Sequence, residues 1–128
     1  MRVLLDTHAL LWSAIDDKRL SEKARSVIEN LKTDVYVSAA SAWEVTTNVR
    51  LGKLPGAEGL ASQFAENLRR MGFLELTITV EHAQRAGQLA GAHRDPFDRM
   101  LIAQSQAENL AIVSNEEIFD GYGVRRIW

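Results

Sequence analysis

The sequence predicts a three-layer α/β/α domain built on a mainly parallel, five-stranded sheet. Three observations lead there. Short apolar runs alternate with helical stretches along the whole chain, the pattern of repeated strand–helix–strand units. Most of those runs are continuous rather than alternating, as expected of strands covered by helices on both faces. The chain has 128 residues, 46% of them hydrophobic and 25% charged, which suits a single globular domain over residues 1–128 with a real core.

Taken in order, Arg2–Leu5 is the first strand, closed by Asp6, and Thr7–Ile15 reads as a helix. Ser21–Leu31 is a second helix that opens on a serine cap. Asp34–Ser38 is the second strand; the helix Ala39–Leu51 follows it and stops before Gly52, where a helix-ending glycine belongs. Glu58–Met71 places Leu60, Phe64, Leu68 and Met71 on one stripe and is expected as one helix, its stripe serving as core or as interface. Leu74–Val80 alternates strictly, so one face is wetter and the strand belongs at a sheet edge. Helices over Glu81–Ala92 and Phe97–Asn109 bracket a loop; strands over Ala111–Ser114 and Val124–Trp128 enclose a short helical turn at Glu116–Phe119.

Composition excludes several chemistries. There is no cysteine, hence no disulfide, thiolate zinc site or cysteine nucleophile. His8, His82 and His93 lack the spacing of a helical zinc-ligand pair. No glycine-rich phosphate loop occurs: Gly87 and Gly91 lie in a helical pattern, and Gly121-Tyr122-Gly123 reads as a turn. No apolar run approaches membrane-spanning length, and the three apolar residues before Asp6 are too few for a secretory signal. A cytoplasmic protein with no membrane partner is expected. Net charge is −2, yet Lys18, Arg19, Lys23, Arg25, Arg50, Lys53, Arg69, Arg70, His93 and Arg94 leave room for a weakly basic rim. Trp12, Trp43 and Trp128 read as core or interface fillers.

The acids carry the functional signal. Asp6, Glu44, Asp98 and Glu116 follow or adjoin predicted strand ends, and open α/β sheets bind ligands outside the carboxyl ends of their strands. Like charges about 5 Å apart repel by roughly 3 kcal/mol per pair at an effective dielectric near 20. A convergent cluster therefore calls for protons or a divalent cation, which points to a magnesium- or manganese-type site and phosphoryl chemistry. Each acid also has a purely structural reading. Asp6 fits a helix N-cap, and Ser41 with Glu44 fits a capping box. Asp95 before Pro96 is a standard helix start, and Asp98 complements the helix dipole. Ser114 with Glu117 fits a second capping box, leaving Glu116 free to face the pocket.

Together these segments resemble the PIN-domain ribonucleases, and within them the VapC-type toxins of type II toxin–antitoxin pairs. The resemblance covers nearly the whole chain and rests on four ordered pieces: Leu4-Leu5-Asp6-Thr7-His8; Ser41-Ala42-Trp43-Glu44-Val45 with Arg50-Leu51-Gly52-Lys53-Leu54; Arg94-Asp95-Pro96-Phe97-Asp98-Arg99-Met100-Leu101-Ile102-Ala103-Gln104; and Val113-Ser114-Asn115-Glu116 through Trp128. It implies a PIN-like fold and metal-dependent endoribonuclease activity, with Asp6, Glu44 and Asp98 catalytic. Asp6, Asp98, Glu44 and Glu116 would be the ligands of Mg²⁺, or of Mn²⁺. Thr7, Asp95, Arg99 and Ser114 would assist, Arg99 by clamping a phosphate or pairing with an acid. RNA as substrate, a cognate antitoxin and a homodimer are the implied partners. Two positions depart from the family pattern: Glu116 stands where an aspartate is usual, and Asn48 where this subgroup often has lysine. The rival readings are a catalytically weak RNA- or protein-binding module and a receiver-type phosphoacceptor domain. The latter calls for adjacent acids after the first strand, where Asp6 stands alone.

Overall fold

The computed structural model describes residues 1–128. Strands β1 (Arg2–Leu5), β2 (Asp34–Ser38), β3 (Leu74–Leu76), β4 (Ala111–Val113) and β5 (Arg126–Ile127) form one sheet in the order β3-β2-β1-β4-β5. Every pairing is parallel, so the expected mainly parallel sheet is wholly so. Helices α1 (Thr7–Ala14), α2 (Glu22–Glu29), α3 (Ala39–Arg50), α4 (Glu58–Ser62), α5 (Phe64–Met71), α6 (Val80–Gln88) and α7 (Pro96–Glu108) flank it, with a 3-10 turn at Glu117–Tyr122.

Side chains alternate across a strand, and the core divides accordingly. Val3, Leu5, Val35, Val37 and Val113 pack on one face against Ala9 and Leu10 of α1, Ala24 of α2 and Leu68 of α5. Leu4 and Ile112 point to the other face, against Leu101 and Ile102 of α7 and Phe119 of the 3-10 turn. Complete burial of each such side chain is worth at most about 1.5–3 kcal/mol, so the central strands anchor both layers. The chain runs outward from β1 to β3, then crosses back to β4. That reversal opens a crevice at the carboxyl ends of β1 and β4, where Asp6 and Glu116 emerge. No helix is long and apolar enough to cross a membrane.

Several element boundaries depart from expectation for local reasons. Glu58–Met71 is two helices, broken at Gln63 (φ −141°, ψ 58°); the Asn67 side-chain amide donates to the carbonyls of Gly59 and Gln63 across the break. Leu68 is core, with Leu60, Phe64 and Met71 packed against it, so the stripe faces inward in spite of the break. The edge strand ends at Leu76 rather than Val80, because the Thr79 hydroxyl accepts from the His82 amide and starts α6. Helix α6 stops at Gln88, and Gly91 (φ +97°) turns the chain back toward α7.

Candidate active site

Strand β1 carries Asp6 into the crevice. Its amide continues the ladder by donating to the Val113 carbonyl (3.1 Å). Its Oδ1 accepts from the Ala9 amide (2.7 Å), capping α1. The structural and functional readings of Asp6 thus coincide at one residue. The carboxylate is only 3% exposed. Burial pushes its pKa up to about 6, against the opposing hydrogen bonds of Ser114 and Ala9, and the charge of Glu116 raises it further.

Glu44 reaches the same region from α3. Thr7 Oγ1 lies 2.6 Å from Glu44 Oε1 and 3.2 Å from Ser41 Oγ. Threonine has one hydroxyl proton; the short contact to the carboxylate takes it, and Ser41 completes the chain behind. The expected Ser41–Glu44 capping box is absent, because α3 begins three residues earlier with Ser38 capping the Ala40 amide. Ser41 is instead buried within the helix. Burial raises the Glu44 pKa, and the charges of Asp95 and Glu116 add to it.

Asp95 caps α7 through Oδ1, which accepts from the amides of Phe97 (2.9 Å) and Asp98 (3.2 Å), with Pro96 at the first helical position. That start places Asp98 one turn in, with its Oδ2 2.8 Å from His93 Nε2. Burial pushes Asp98 up to about 6, helped by the charges of Asp95 and Glu116 and opposed by His93. Glu116 follows β4, its amide donating to Ser114 Oγ (2.9 Å), and its Oε1 stands 3.5 Å from His8 Nδ1. Ser114 therefore holds Glu116 rather than forming a capping box with Glu117.

The decisive feature is what these groups share. The charge of Glu116 raises the pKa of Asp6, Glu44 and Asp98 alike, which sets three acids from three other segments within electrostatic reach of Glu116. No lysine or arginine forms an ion pair with any of them; His8 and His93 are the only basic partners. A set of hard oxygen donors, Asp6 buried and the others partly so, with no lysine or arginine paired to them, has the donor chemistry that Mg²⁺ and Mn²⁺ select. The acids and histidines do not, however, close into a preformed shell: no three of them stand together as a ligand set.

The PIN domain family model matches residues 3–124. The chain belongs to the PIN-domain family. It is 40% identical over 68 residues to Ribonuclease VapC16 of Mycobacterium tuberculosis (strain ATCC 25618 / H37Rv); the aligned stretch is 53% of this chain and 47% of that protein. The chain thus aligns with about half the length of that relative. Among solved structures, it resembles VapBC2 from Rickettsia felis bound to a DNA fragment from its promoter, with a TM-score of 0.72 at 17% identity over 98% of this chain and 97% of that one. VapBC-1 from nontypeable Haemophilus influenzae gives a TM-score of 0.64 at 12% identity, over 98% and 96%. At those identities the likeness is one of fold, and it confirms the three-layer PIN architecture.

Arg99 has a structural task beside the one expected of it. Its guanidinium donates to the carbonyls of His93 (2.9 Å), Ala86 (3.3 Å) and Leu89, tying the end of α6 and the following loop to α7. These bonds use three of its five N–H donors and make it a brace; no ion pair joins it to an acid. Sequence reasoning also missed three participants. His93 is read in sequence as an unsuited zinc ligand and part of a basic rim, yet the turn through Arg94-Asp95-Pro96 folds it back onto Asp98. His8 and Ser41 were likewise absent from the expected site, although each lies beside a residue that was in it.

Proposed function

We propose that this PIN domain is a divalent-metal-dependent endoribonuclease, acting in the cytoplasm as the toxin of a toxin–antitoxin pair. The observation that carries the reading is the grouping of Asp6, Glu44, Asp98 and Glu116, none of them paired with a lysine or arginine and only Asp98 and Glu116 with a histidine. The partial match to a named ribonuclease supports the reaction class. Asp6 and Asp98 would hold the principal ion, with Glu44 and Glu116 sharing it; Mg²⁺ is the expected metal and Mn²⁺ its substitute. The ion supplies neutralising charge for the phosphodiester and lowers the pKa of water in its shell.

The chain's own groups prepare that site. Thr7, backed by Ser41, fixes the carboxylate of Glu44, and Ser114 steadies both Asp6 and Glu116. Asp95 sets the start of α7, and with it the position of Asp98, whose free rotation His93 restricts. Glu116 in place of aspartate extends its carboxylate by one methylene, about 1.5 Å, which suits a looser ligand or one acting through water. A single-stranded RNA substrate, a small antitoxin covering the acids and a homodimer complete the reading.

The test is cleavage of RNA by the purified chain, with Mg²⁺, with Mn²⁺ and with excess chelator, beside its Asp6→Asn form. Cleavage that needs the ion and disappears in Asp6→Asn is expected; full activity in chelator rules out the metal role. A second reading, a catalytically weak binding module, draws on the absence of a closed ligand shell. It predicts RNA binding without turnover and no stabilisation by divalent ions, whereas a specific site at 100 times Kd raises stability by about 2.7 kcal/mol.

A further inference from the structure

A cavity of about 800 Å³ opens at the pole opposite the acids, around the amino ends of β1 and β4. Arg2 and Asp6 stand at the two ends of β1, roughly 13 Å apart at about 3.3 Å per residue, so this cavity is separate from the acids. Arg2 forms one wall, Ser105 of α7 a second, and Gly123, Val124 and Arg125, which lead into β5, a third.

Its charge is one-sided. Two arginines line it and no aspartate or glutamate does. Neither arginine is in an ion pair. Arg2 Nη1 donates to the Glu108 carbonyl (3.1 Å), and its guanidinium carbon lies 5.6 Å from the Tyr36 ring centroid. Both contacts steady the side chain and leave its charge unmatched. Asp34 stands opposite Arg2 in the ladder without pairing to it. The acids of the flanking elements are engaged elsewhere: Asp120 accepts from Arg126 through both oxygens (2.9 and 3.1 Å), and Glu108 Oε1 meets His82 Nε2 (2.9 Å).

Neutral donors stand with the cations. A helical serine commonly turns its hydroxyl onto the carbonyl one turn earlier. Ser105 does not: it is 2% exposed, and its Oγ has no partner. The amides of Gly123, Val124 and Arg125 also donate to no protein acceptor, because the β4–β5 ladder begins one rung later, where the Ile112 amide donates to the Arg125 carbonyl (2.8 Å). Gly123 is left-handed (φ +71°) directly after the 3-10 turn. That succession turns consecutive amides to one side and makes anion-binding hollows.

We propose that this cavity is a second site, which binds the phosphate group of a nucleotide, either free or within an RNA strand. Arginine charge, a hydroxyl and backbone amides are the donors that phosphate oxygens take. Donors on three walls suit a tetrahedral anion better than a planar carboxylate. The volume lies within the usual range for small-molecule sites, about 300–1,000 Å³, and leaves room for the attached nucleoside. Nothing in the proposal depends on the nuclease reading.

The test is calorimetric titration of 5′-AMP and of inorganic phosphate, without divalent ions, into the wild type and its Asp6→Asn, Ser105→Ala and Arg2→Gln forms. One site is expected in the wild type and is kept in Asp6→Asn. Ser105→Ala is expected to weaken binding by about 2- to 12-fold and Arg2→Gln by about 12- to 150-fold, the ranges of neutral and charge-assisted hydrogen bonds. Ligand-free Ser105→Ala should melt no lower than the wild type, since its hydroxyl forms no bond to lose; this separates a binding role from a structural one. Labelled single-stranded RNA bound to Asp6→Asn then identifies the source of the phosphate. Displacement by 5′-AMP places the strand in the cavity, whereas 5′-AMP binding without displacement assigns it to a free nucleotide. Absence of binding by both probes overturns the proposal. So does wild-type affinity in both Ser105→Ala and Arg2→Gln, or binding that vanishes in Asp6→Asn.

Discussion

Helix α7 touches two polar clusters, one near each end, and their contrast separates architecture from chemistry. Toward its carboxyl end, His82 is buried from α6. Its Nδ1 accepts from the Thr79 amide (3.1 Å), so Nε2 carries the proton given to Glu108 Oε1 (2.9 Å), and Gln104 Nε2 donates to the Thr77 carbonyl (3.2 Å). Donors there meet acceptors, apart from a partnerless Gln104 Oε1. Near its amino end, Asp98 belongs with Asp6, Glu44 and Glu116, all acceptors when ionised, and the charge of Glu116 raises the cost of ionising the other three. Apart from that one oxygen, the first cluster is satisfied within the fold. The second holds no lysine or arginine, and that imbalance, rather than burial alone, is what the proposed function rests on.

The sharpest way to break the contrast is to neutralise one acid. Asp6→Asn keeps an oxygen to cap Ala9 but removes a buried charge whose pKa stands near 6 instead of the usual 3.8. Cleavage is expected to fall to background. Stability at pH 7 is expected to rise, by up to about 3 kcal/mol, so the melting temperature and the activity move in opposite directions. A variant that cleaves like the wild type, or one that melts well below it, would show Asp6 to be structural.

The matching change at the other end is His82→Ala. It removes the capping box of α6 and strands Glu108, Gln104 and the Thr79 amide. A loss of about 2 kcal/mol is expected, since buried groups left without partners cost roughly 1–3 kcal/mol each before relaxation and solvent access. Denaturant unfolding measures it. Activity per folded molecule should be unchanged, the reverse of the Asp6 result.

Acidity offers a third test. The folded pKa values of Asp6 and Asp98, both about 6, lie above the ordinary carboxylate value. The native state therefore binds protons more tightly than the unfolded chain does, and stability rises as pH falls from 7 through 6 toward 4. Metal-free protein should melt higher at pH 5 than at pH 7.5. Saturating Mn²⁺ should raise the pH 7.5 value and flatten the dependence, because the ion replaces the protons. An unchanged slope with Mn²⁺ would place the ion elsewhere.

How far these differences were legible in sequence depends on the range of the interaction. The strands Arg2–Leu5 and Asp34–Ser38 match the structure residue for residue, because continuous apolar runs and adjacent caps are local signals. The positions of Asp6 and Glu116 after β1 and β4 were legible because parallel strands deliver their ends to one edge, an argument that needs topology but no coordinates. The break at Gln63 was not: the apolar stripe continues straight through it, and only the Asn67 amide bridging two carbonyls reveals it. The tasks of Arg99 and His93 were hidden too, since both depend on where the loop after α6 runs, and loop paths leave no periodicity. Ser41 was misread because its spacing to Glu44 imitates a cap that Ser38 supplies.

The finest distinction within the acidic cluster concerns how rigidly one ligand is held. Glu44 Oε1 has a single protein donor, Thr7, at 2.6 Å, and Oε2 has none. Thr7→Val keeps the shape of the side chain and removes the donor. The fold should lose only about 1 kcal/mol, since Thr7 is half-buried and water can reach Glu44. Partners that orient a metal ligand typically matter 10–100-fold in metal affinity or activity, so kcat/KM at limiting Mg²⁺ should fall by about that factor and recover partly at high Mg²⁺. Thr7→Ser restores the hydroxyl and should restore most of the rate. If Thr7→Val instead matched the wild type at low Mg²⁺, Glu44 would need no fixed orientation and its proposed place among the ligands would pass to Glu116, whose charge acts on all three other acids.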